Sequence, residues 1–181
     1  MHEKRFQRDI ERLRDPERVA RLEVSRAVDA VLEGMDGART LLDVGTGSGV
    51  FAEQFAARGL EVTGVDANPA MIPVSQKFVP AGKFREAIAE ALPFPERTFD
   101  LVFMGLVLHE TDDPQAALNE AWRVAIRRVV VLEWPCEEQP FGPPLSERFS
   151  IEQVKAMAHV AGFMQVEPVR LTHVVLYRMG K

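Results

Sequence analysis

The sequence predicts an α/β protein built on a doubly wound, mostly parallel sheet with helices on both faces. Three observations carry that reading. From Thr40 onward short apolar runs alternate with amphipathic stretches, the texture of strands joined by crossover helices. Three glycines in five residues, Gly45-Thr46-Gly47-Ser48-Gly49, separate the first strand from its helix, where such sheets place their tight turn. The last two strand-like runs lie only two or three residues apart, which calls for an antiparallel hairpin. With 181 residues, 46% of them hydrophobic, one domain with a sizeable core is expected.

Residues 1–14 mix both signs of charge and read as a frayed helix or a mobile lid. Asp15-Pro16 then supplies an N-cap and a proline at the first helical position, where a missing N–H is no loss. Ala20, Val24, Ala27, Val28, Val31 and Leu32 continue one helix from there to Gly34 or Gly37. Strands follow at 40–44 and 61–65, with a weaker one at 83–88; helices at 50–58 and 69–78 connect them. The run 99–108 is apolar almost throughout, as a strand covered on both faces should be. Asp113-Pro114 repeats the cap-and-proline signal and opens a helix to about Val124. A strand at 127–133, a helix at 150–161 stopped by Gly162, and strands at 163–169 and 172–178 complete the order.

Composition excludes several classes. A net charge of −5 disfavours a nucleic-acid partner, whose binding rests on basic contacts to phosphate. A single cysteine, Cys136, allows neither an internal disulfide nor a multi-thiolate zinc site, and nothing near it in the sequence activates the thiol. The four histidines lack paired spacing, so no metal site is expected; His159 and His173 read as structural, and His2 falls in the charged N-terminal stretch. No apolar run nears the ~18 residues of a membrane span. Met1-His2-Glu3-Lys4-Arg5 leads into no signal-peptide hydrophobic stretch, so a cytoplasmic protein, monomer or homodimer, is expected.

In an open sheet of this kind ligands bind at the carboxyl ends of the strands. The segment from Asp43 to Gly49 lies there; its glycines let a ligand approach bare backbone, and the helix start offers free N–H groups. A plain glycine-rich turn has the same sequence signature. Asp66, seventeen residues beyond Gly49 at the end of the second strand, is placed to accept two hydrogen bonds from a ribose diol. Capping of the next helix is its alternative, for which Asn68 is better suited.

Leu42-Asp43-Val44-Gly45-Thr46-Gly47-Ser48-Gly49, then Gly64-Val65-Asp66-Ala67-Asn68-Pro69-Ala70-Met71, then the stretch from Ala89 through Leu92-Pro93-Phe94-Pro95 to Asp100 together resemble the class I S-adenosylmethionine-dependent methyltransferases. The similarity is greatest to the small enzymes of the ubiquinone/menaquinone biosynthesis type. It is tight over residues 38–134 and extends to 142–150 and 161–163. The resemblance implies a Rossmann-like sheet of seven strands with the last antiparallel, and S-adenosyl-L-methionine as cofactor. It further implies that Gly45, Thr46, Gly47 and Gly49 underlie the methionine part, and that Asp43 orients its amino group. Asp66 would hold the ribose hydroxyls, Ala67 and Met71 would flank the adenine, and Met104 would border the same crevice. Residues 1–37 would form a helical cap over a cofactor-binding core, 38–181. Two carboxylates near a sulfonium and an ammonium also make electrostatic sense.

Two departures from the family pattern stand out. Many relatives carry Gly-Asp-Ala before Leu-Pro-Phe; here Ala87-Ile88-Ala89 puts Ile88 where the adenine-binding Asp would be. Adenine recognition then falls to the backbone of Ile88 and Ala89, with Glu90 as a helper. Losing one hydrogen bond to a partly exposed amine costs about 0.5–1.5 kcal/mol, enough to weaken binding but not abolish it. The second departure, Arg123 to Arg128, replaces a Leu-Lys-Pro-Gly-Gly turn remote from the cofactor and is expected to matter only structurally.

Methyl transfer is an in-line displacement in which the protein aligns a nucleophile and, where needed, removes its proton. Candidates must leave the fourth and fifth strands at their carboxyl ends. His109 suits a general base near neutrality, or else ties its loop to backbone carbonyls. Glu110 either orients His109 or simply precedes the helix at Pro114; Asp112 and Asp113 read as caps. Glu133, an acid ending an apolar strand, suits the floor of an acceptor pocket, with an ion pair to Arg148 as the alternative. Trp134, Phe141 and Tyr177 either line an apolar pocket or belong to the core. With few residues between the fourth and fifth strands and no inserted domain, the acceptor is expected to be a small molecule. Two other functions compete. One is a non-catalytic protein binding S-adenosylmethionine or S-adenosylhomocysteine. The other is an NAD-dependent oxidoreductase, disfavoured because Val50 stands where GxGxxG requires its last small residue and because Leu-Pro-Phe-Pro has no dinucleotide counterpart.

Overall fold

The structure, a computed structural model, describes residues 10–181; the charged stretch 1–9, including His2, lies outside the described residues. Its centre is a seven-stranded sheet of order β3-β2-β1-β4-β5-β7-β6. The strands are β1 Thr40–Val44, β2 Glu61–Asp66, β3 Lys83–Glu86, β4 Phe99–Gly105, β5 Ala125–Glu133, β6 Gln165–Arg170 and β7 Val175–Gly180. β1 to β5 pair in parallel, and β7 runs antiparallel to both β5 and β6. That is the mostly parallel sheet with an antiparallel last strand expected from the sequence.

Two apolar clusters cover the two faces. On one, Phe51 and Phe55 of α3 (Val50–Ala57) meet the Phe103 ring at tilted and edge-on angles, centroids 4.9 and 5.2 Å away, joined by Val28 and Val31 of α2 (Val24–Leu32) and by Val79 after α4 (Met71–Phe78). On the other, Leu118 and Ala121 of α5 (Pro114–Val124) and Val154 and Ala158 of α6 (Ile151–Ala161) pack with Val102, Val131 and Tyr177. Alternate residues of β4 and β5 feed the two clusters, which is why the runs 101–104 and 129–132 are apolar without a break. Among the described residues no helix is long and apolar enough to cross a membrane.

The boundaries correct several expectations. The single N-terminal helix is two, α1 (Pro16–Arg21) and α2, broken at Glu23, whose φ of 47° is left-handed. Only α2 carries a buried stripe, so it lies on the sheet while α1, which buries no residue, turns away across the sheet's edge. Glu23 is held at the break by accepting from the Thr172 N–H and the Arg26 guanidinium, both at 2.7 Å. The fourth strand stops at Gly105 rather than 108. Leu106 adopts a φ of 59° and a 3-10 turn, Leu108–Glu110, follows; Leu106 and Leu108 stay buried off the strand, so the apolar run outlasts it. The helix expected from 69 begins at Met71, after a turn in which the Asn68 side chain accepts from the Ala70 N–H at 3.0 Å. The third strand ends at Glu86, and residues 165–170 and 175–180 pair around a four-residue turn, 171–174, closed by Leu171 N–H to Val174 C=O. No turn of any kind separates α5 from β5. Arg123 braces that junction instead, donating to the Phe94 and Leu92 carbonyls at 2.7 and 3.0 Å and pairing with Glu120.

Candidate active site

The carboxyl edge of β1, β2 and β4 gathers the glycine segment and two acids. Asp43 is buried in β1, opposite Gly64 and Phe103, and its carboxylate accepts from the Thr46 hydroxyl at 2.8 Å. Burial pushes its carboxyl up to about 7, against the Thr46 hydrogen bond and with a further push from Asp66. The Gly45 and Thr46 N–H groups both donate to the Val65 carbonyl, which folds the loop back over β2. Gly45 has a φ of 70°, and a Cβ there would stand 2.5 Å from Val107 Cγ2, so only glycine fits.

Asp66 accepts from the Gly47 N–H on one carboxylate oxygen and from the Asn68 N–H on the other, each at 2.8 Å. Burial raises its pKa and these two donors oppose the rise. Each oxygen keeps a lone pair for a further donor. The Ala87 N–H donates to the Asp66 carbonyl at 3.1 Å, which brings Ile88 and the buried Ala89 alongside Asp66 and Ala67. Met71 and Met104 are both buried, Met104 paired with Val44 across the β1–β4 ladder. Glu90 points elsewhere: its carboxylate accepts from the Asp112 and Asp113 N–H groups and so secures the loop after β4, while the Asp113 side chain caps α5.

A second cluster forms where β4 and β5 end. His109 Nδ1 lies 2.7 Å from a Glu133 carboxylate oxygen, and Glu133 also accepts from the backbone N–H of His109 and of Trp134. Glu110 stands on the other side, its carboxylate 3.9 Å from His109 Nε2. Glu133, not Glu110, therefore orients the imidazole. Burial acts to lower the His109 pKa, but the charge and hydrogen bond of Glu133 outweigh it and the net shift is upward. Glu110 is raised to about 7, by burial first, with His109 opposing and Glu133 and Asp66 adding. The alternative ion pair between Glu133 and Arg148 does not form. Arg148 donates instead to the carbonyls of Pro135, Glu137, Phe141 and Pro143, and so organises the loop after β5. Trp134 and Phe141 are neighbours with rings 5.7 Å apart, but Tyr177 packs in the cluster on the opposite face, so the three do not line one pocket. His173 sits in the β6–β7 turn, edge-on to Phe141 at 5.1 Å, and Cys136 is exposed.

Sequence reasoning missed the arginines leading into α1. Arg14 donates to the Ser48 carbonyl at 2.8 Å, pairs with Glu53 and lies 3.5 Å above the Phe78 ring; the Leu13 side chain abuts Gly47. The available signal was the run of basic residues Arg12, Arg14, Arg18 and Arg21 on either side of the Asp15-Pro16 helix start.

Residues 42–132, half of the chain, match the methyltransferase domain family. The chain belongs to that family. Demethylmenaquinone methyltransferase of Thermus thermophilus is 38% identical to this methyltransferase domain over 118 residues, 61% of this chain and 53% of that protein. A crystal structure of an S-adenosylmethionine-dependent methyltransferase from Aquifex aeolicus covers 94% of this chain and 96% of its own with a TM-score of 0.79 at 24% identity. An amino pentose methyltransferase from Micromonospora echinaspora, solved with S-adenosylmethionine bound, covers 87% of this chain and 89% of its own with a TM-score of 0.71 at 18% identity. At those identities the two structures show a shared fold. This chain spans about half the length of the curated relatives it matches.

The family's methyl donor is S-adenosyl-L-methionine, and the residues of this methyltransferase domain fit it. The Ser48 hydroxyl is buried in the glycine loop without a hydrogen-bond partner among the described residues, the mark of a polar ligand's place. The Gly45–Gly49 backbone offers close approach, and Asp43 and Asp66 complement a cationic ligand that carries a diol. The family assignment displaces the oxidoreductase reading.

Proposed function

We propose that this domain transfers a methyl group from S-adenosylmethionine to a small-molecule acceptor, with His109 as the general base. The observation that carries the reading is the 2.7 Å contact between His109 Nδ1 and buried Glu133 at the carboxyl edge, one strand from the glycine cradle. Asp43 and the glycine backbone would hold the methionine end, Asp66 the ribose, and Ala67, Met71, Ile88 and Ala89 the adenine. Bound there, the cofactor supplies the electrophilic methyl carbon. Glu133 fixes the imidazole tautomer with the proton on Nδ1, so Nε2 is free to accept the acceptor's proton, and its negative charge stabilises the imidazolium that results. Glu110 adds a second carboxyl on the Nε2 side. Of the cap expected over residues 1–37, the described part, 10–37, serves that role, supported by the contacts of Leu13 and Arg14 with the glycine loop. An exposed free thiol at Cys136 suits a reducing cytoplasm.

The test is S-adenosylhomocysteine formation, followed by mass spectrometry, across acceptors with acidic O–H, N–H or C–H groups. The panel begins with demethylmenaquinone, after the name of the Thermus relative. Acceptor-dependent product that falls in His109→Ala is the expected result. Tight binding of S-adenosylhomocysteine with no turnover on any acceptor would instead support the non-catalytic binder.

A further inference from the structure

Beyond β5, on the side away from β4, a cavity of about 200 Å³ opens between the loop after β5, the start of α6 and strand β7. No residue of the glycine cradle lines it. Its walls are largely apolar, made by Pro135, Phe149, Ile151, Val175 and the Tyr177 ring.

Three hydrogen-bond donors at this cavity have nothing to give to. Tyr177 is 1% exposed, and its hydroxyl makes no hydrogen bond among the described residues. Its backbone is held in the sheet between Val131 and Pro168, so it reaches the cavity through its side chain. Burial, with Glu133 and Glu152 adding, pushes the phenol up to about 12, so the hydroxyl keeps its proton and stays a donor. The start of α6 supplies the other two. Its capping box spends the Ser150 hydroxyl on the Gln153 N–H and the Gln153 side chain on the Ser150 N–H. The N–H groups of Ile151 and Glu152, the first two helical positions, are left over, and both residues line the cavity.

Charge and size decide what these donors meet. Glu137 and Glu152 border the cavity against a single guanidinium, Arg170, which is already paired with Glu137. Glu152 stands in the first turn of α6 and complements the positive end of that helix. An anion would therefore add to negative charge that is already in place, whereas a neutral carbonyl oxygen would not. An apolar cavity of about 150 Å³ accommodates benzene, so this one has room for a single ring with a small substituent. We propose that the cavity is a small-molecule site separate from the glycine cradle and takes a neutral, ring-sized carbonyl compound. The ring lies against Phe149, Ile151 and Val175, and the carbonyl oxygen accepts from the Tyr177 hydroxyl and the free N–H groups of α6.

NMR titration of the full chain with benzamide, benzoate and toluene tests this. Benzamide is expected to shift the Ile151 and Glu152 amide signals saturably at millimolar concentration. It should bind about threefold or more tightly than toluene, which lacks the carbonyl, and about tenfold or more tightly than benzoate. Tyr177→Phe is expected to weaken benzamide about threefold or more and to leave toluene unchanged, a split that a merely structural loss would not produce. The proposal is overturned if benzamide moves neither amide, if benzoate or toluene binds as well as benzamide, or if Tyr177→Phe binds benzamide as wild type does. None of these readouts involves S-adenosylmethionine, so they stand or fall apart from the methyltransferase reading.

Discussion

At His109 two forces contend for one proton. Burial disfavours the imidazolium, while Glu133, 2.7 Å away and itself buried, favours it and prevails. Turnover through a neutral imidazole should thus rise with pH along a limb centred above the ordinary 6.5 of histidine. Glu133→Gln removes the charge and leaves the burial, so the limb is expected to move to lower pH. The plateau rate should fall about tenfold or more, as the imidazolium loses its counter-charge, while the affinity for S-adenosylhomocysteine stays within about twofold. A pH–rate profile beside a binding isotherm reads both; an unmoved limb would take Glu133 out of the site. Asp66→Ala is expected to weaken S-adenosylhomocysteine at least tenfold by calorimetry, because it removes the acceptor for the diol and unseats the Gly47 N–H it now holds. The positions of Asp43 and Asp66 at the carboxyl edge were legible in the sequence because each lies in the last two residues of a strand beside a short motif. Three features were not. The pairing of His109 with Glu133 spans 24 residues and depends on β4 and β5 being neighbours. The carboxylate of Glu90 turns to the loop after β4, a direction that no residue pattern encodes. Arg148 has four backbone carbonyls as partners, and only the folded loop brings them together.

Elements were easier to foresee than their ends. Alternation, glycine stops and the two Asp-Pro caps placed every strand and most helices, since those signals are local in the chain. The ends that shifted did so where tertiary demands override local ones. Glu23 accepts a left-handed φ so that α2 can lie on the core and α1 across the edge. Leu106 does the same at the end of β4, and that turn leads the chain into the 3-10 segment carrying His109 and Glu110. The glycine loop is the counterpart where sequence and geometry agree. Gly45→Ala adds a methyl group 2.5 Å from Val107 Cγ2 at a φ of 70°. A β-branched valine has few alternative rotamers with which to yield. The substitution is expected to destabilise the domain by about 1–3 kcal/mol in urea denaturation and to weaken cofactor binding. Adding Val107→Ala relieves the contact but not the backbone strain, so the double variant should recover part of the loss. Full stability in Gly45→Ala alone would mean that the loop does not press against Val107.

The whole molecule concentrates acid at one edge of its sheet, and that sets its response to pH. Asp43 and Glu110 are each raised to about 7, Asp66 is raised, and His109 is raised above 6.5. All four carry the same sign. A group that holds its proton more tightly when folded stabilises the fold at low pH, and that contribution is lost as pH climbs from the unfolded pKa through the folded one. Carboxylates lowered by hydrogen bonds, Asp100 with the Arg39 and Thr40 N–H groups and Glu120 with Arg123, act oppositely and lose their contribution only as pH falls below about 4. The ligand-free domain should therefore be most stable near pH 5 and lose stability steadily to pH 8, the same direction in which its net charge of −5 at pH 7 adds self-repulsion as pH rises. Asp43→Asn, which keeps the shape and removes the charge, is expected to flatten that slope in thermal denaturation across the pH range. Saturating S-adenosylhomocysteine should flatten it too, because an ammonium beside Asp43 pulls its pKa back toward the ordinary carboxylate range and favours the ionised form. If the slope in Asp43→Asn matched that of the wild type, the acid at the end of β1 would not be the buried, proton-holding group that the cradle is built around.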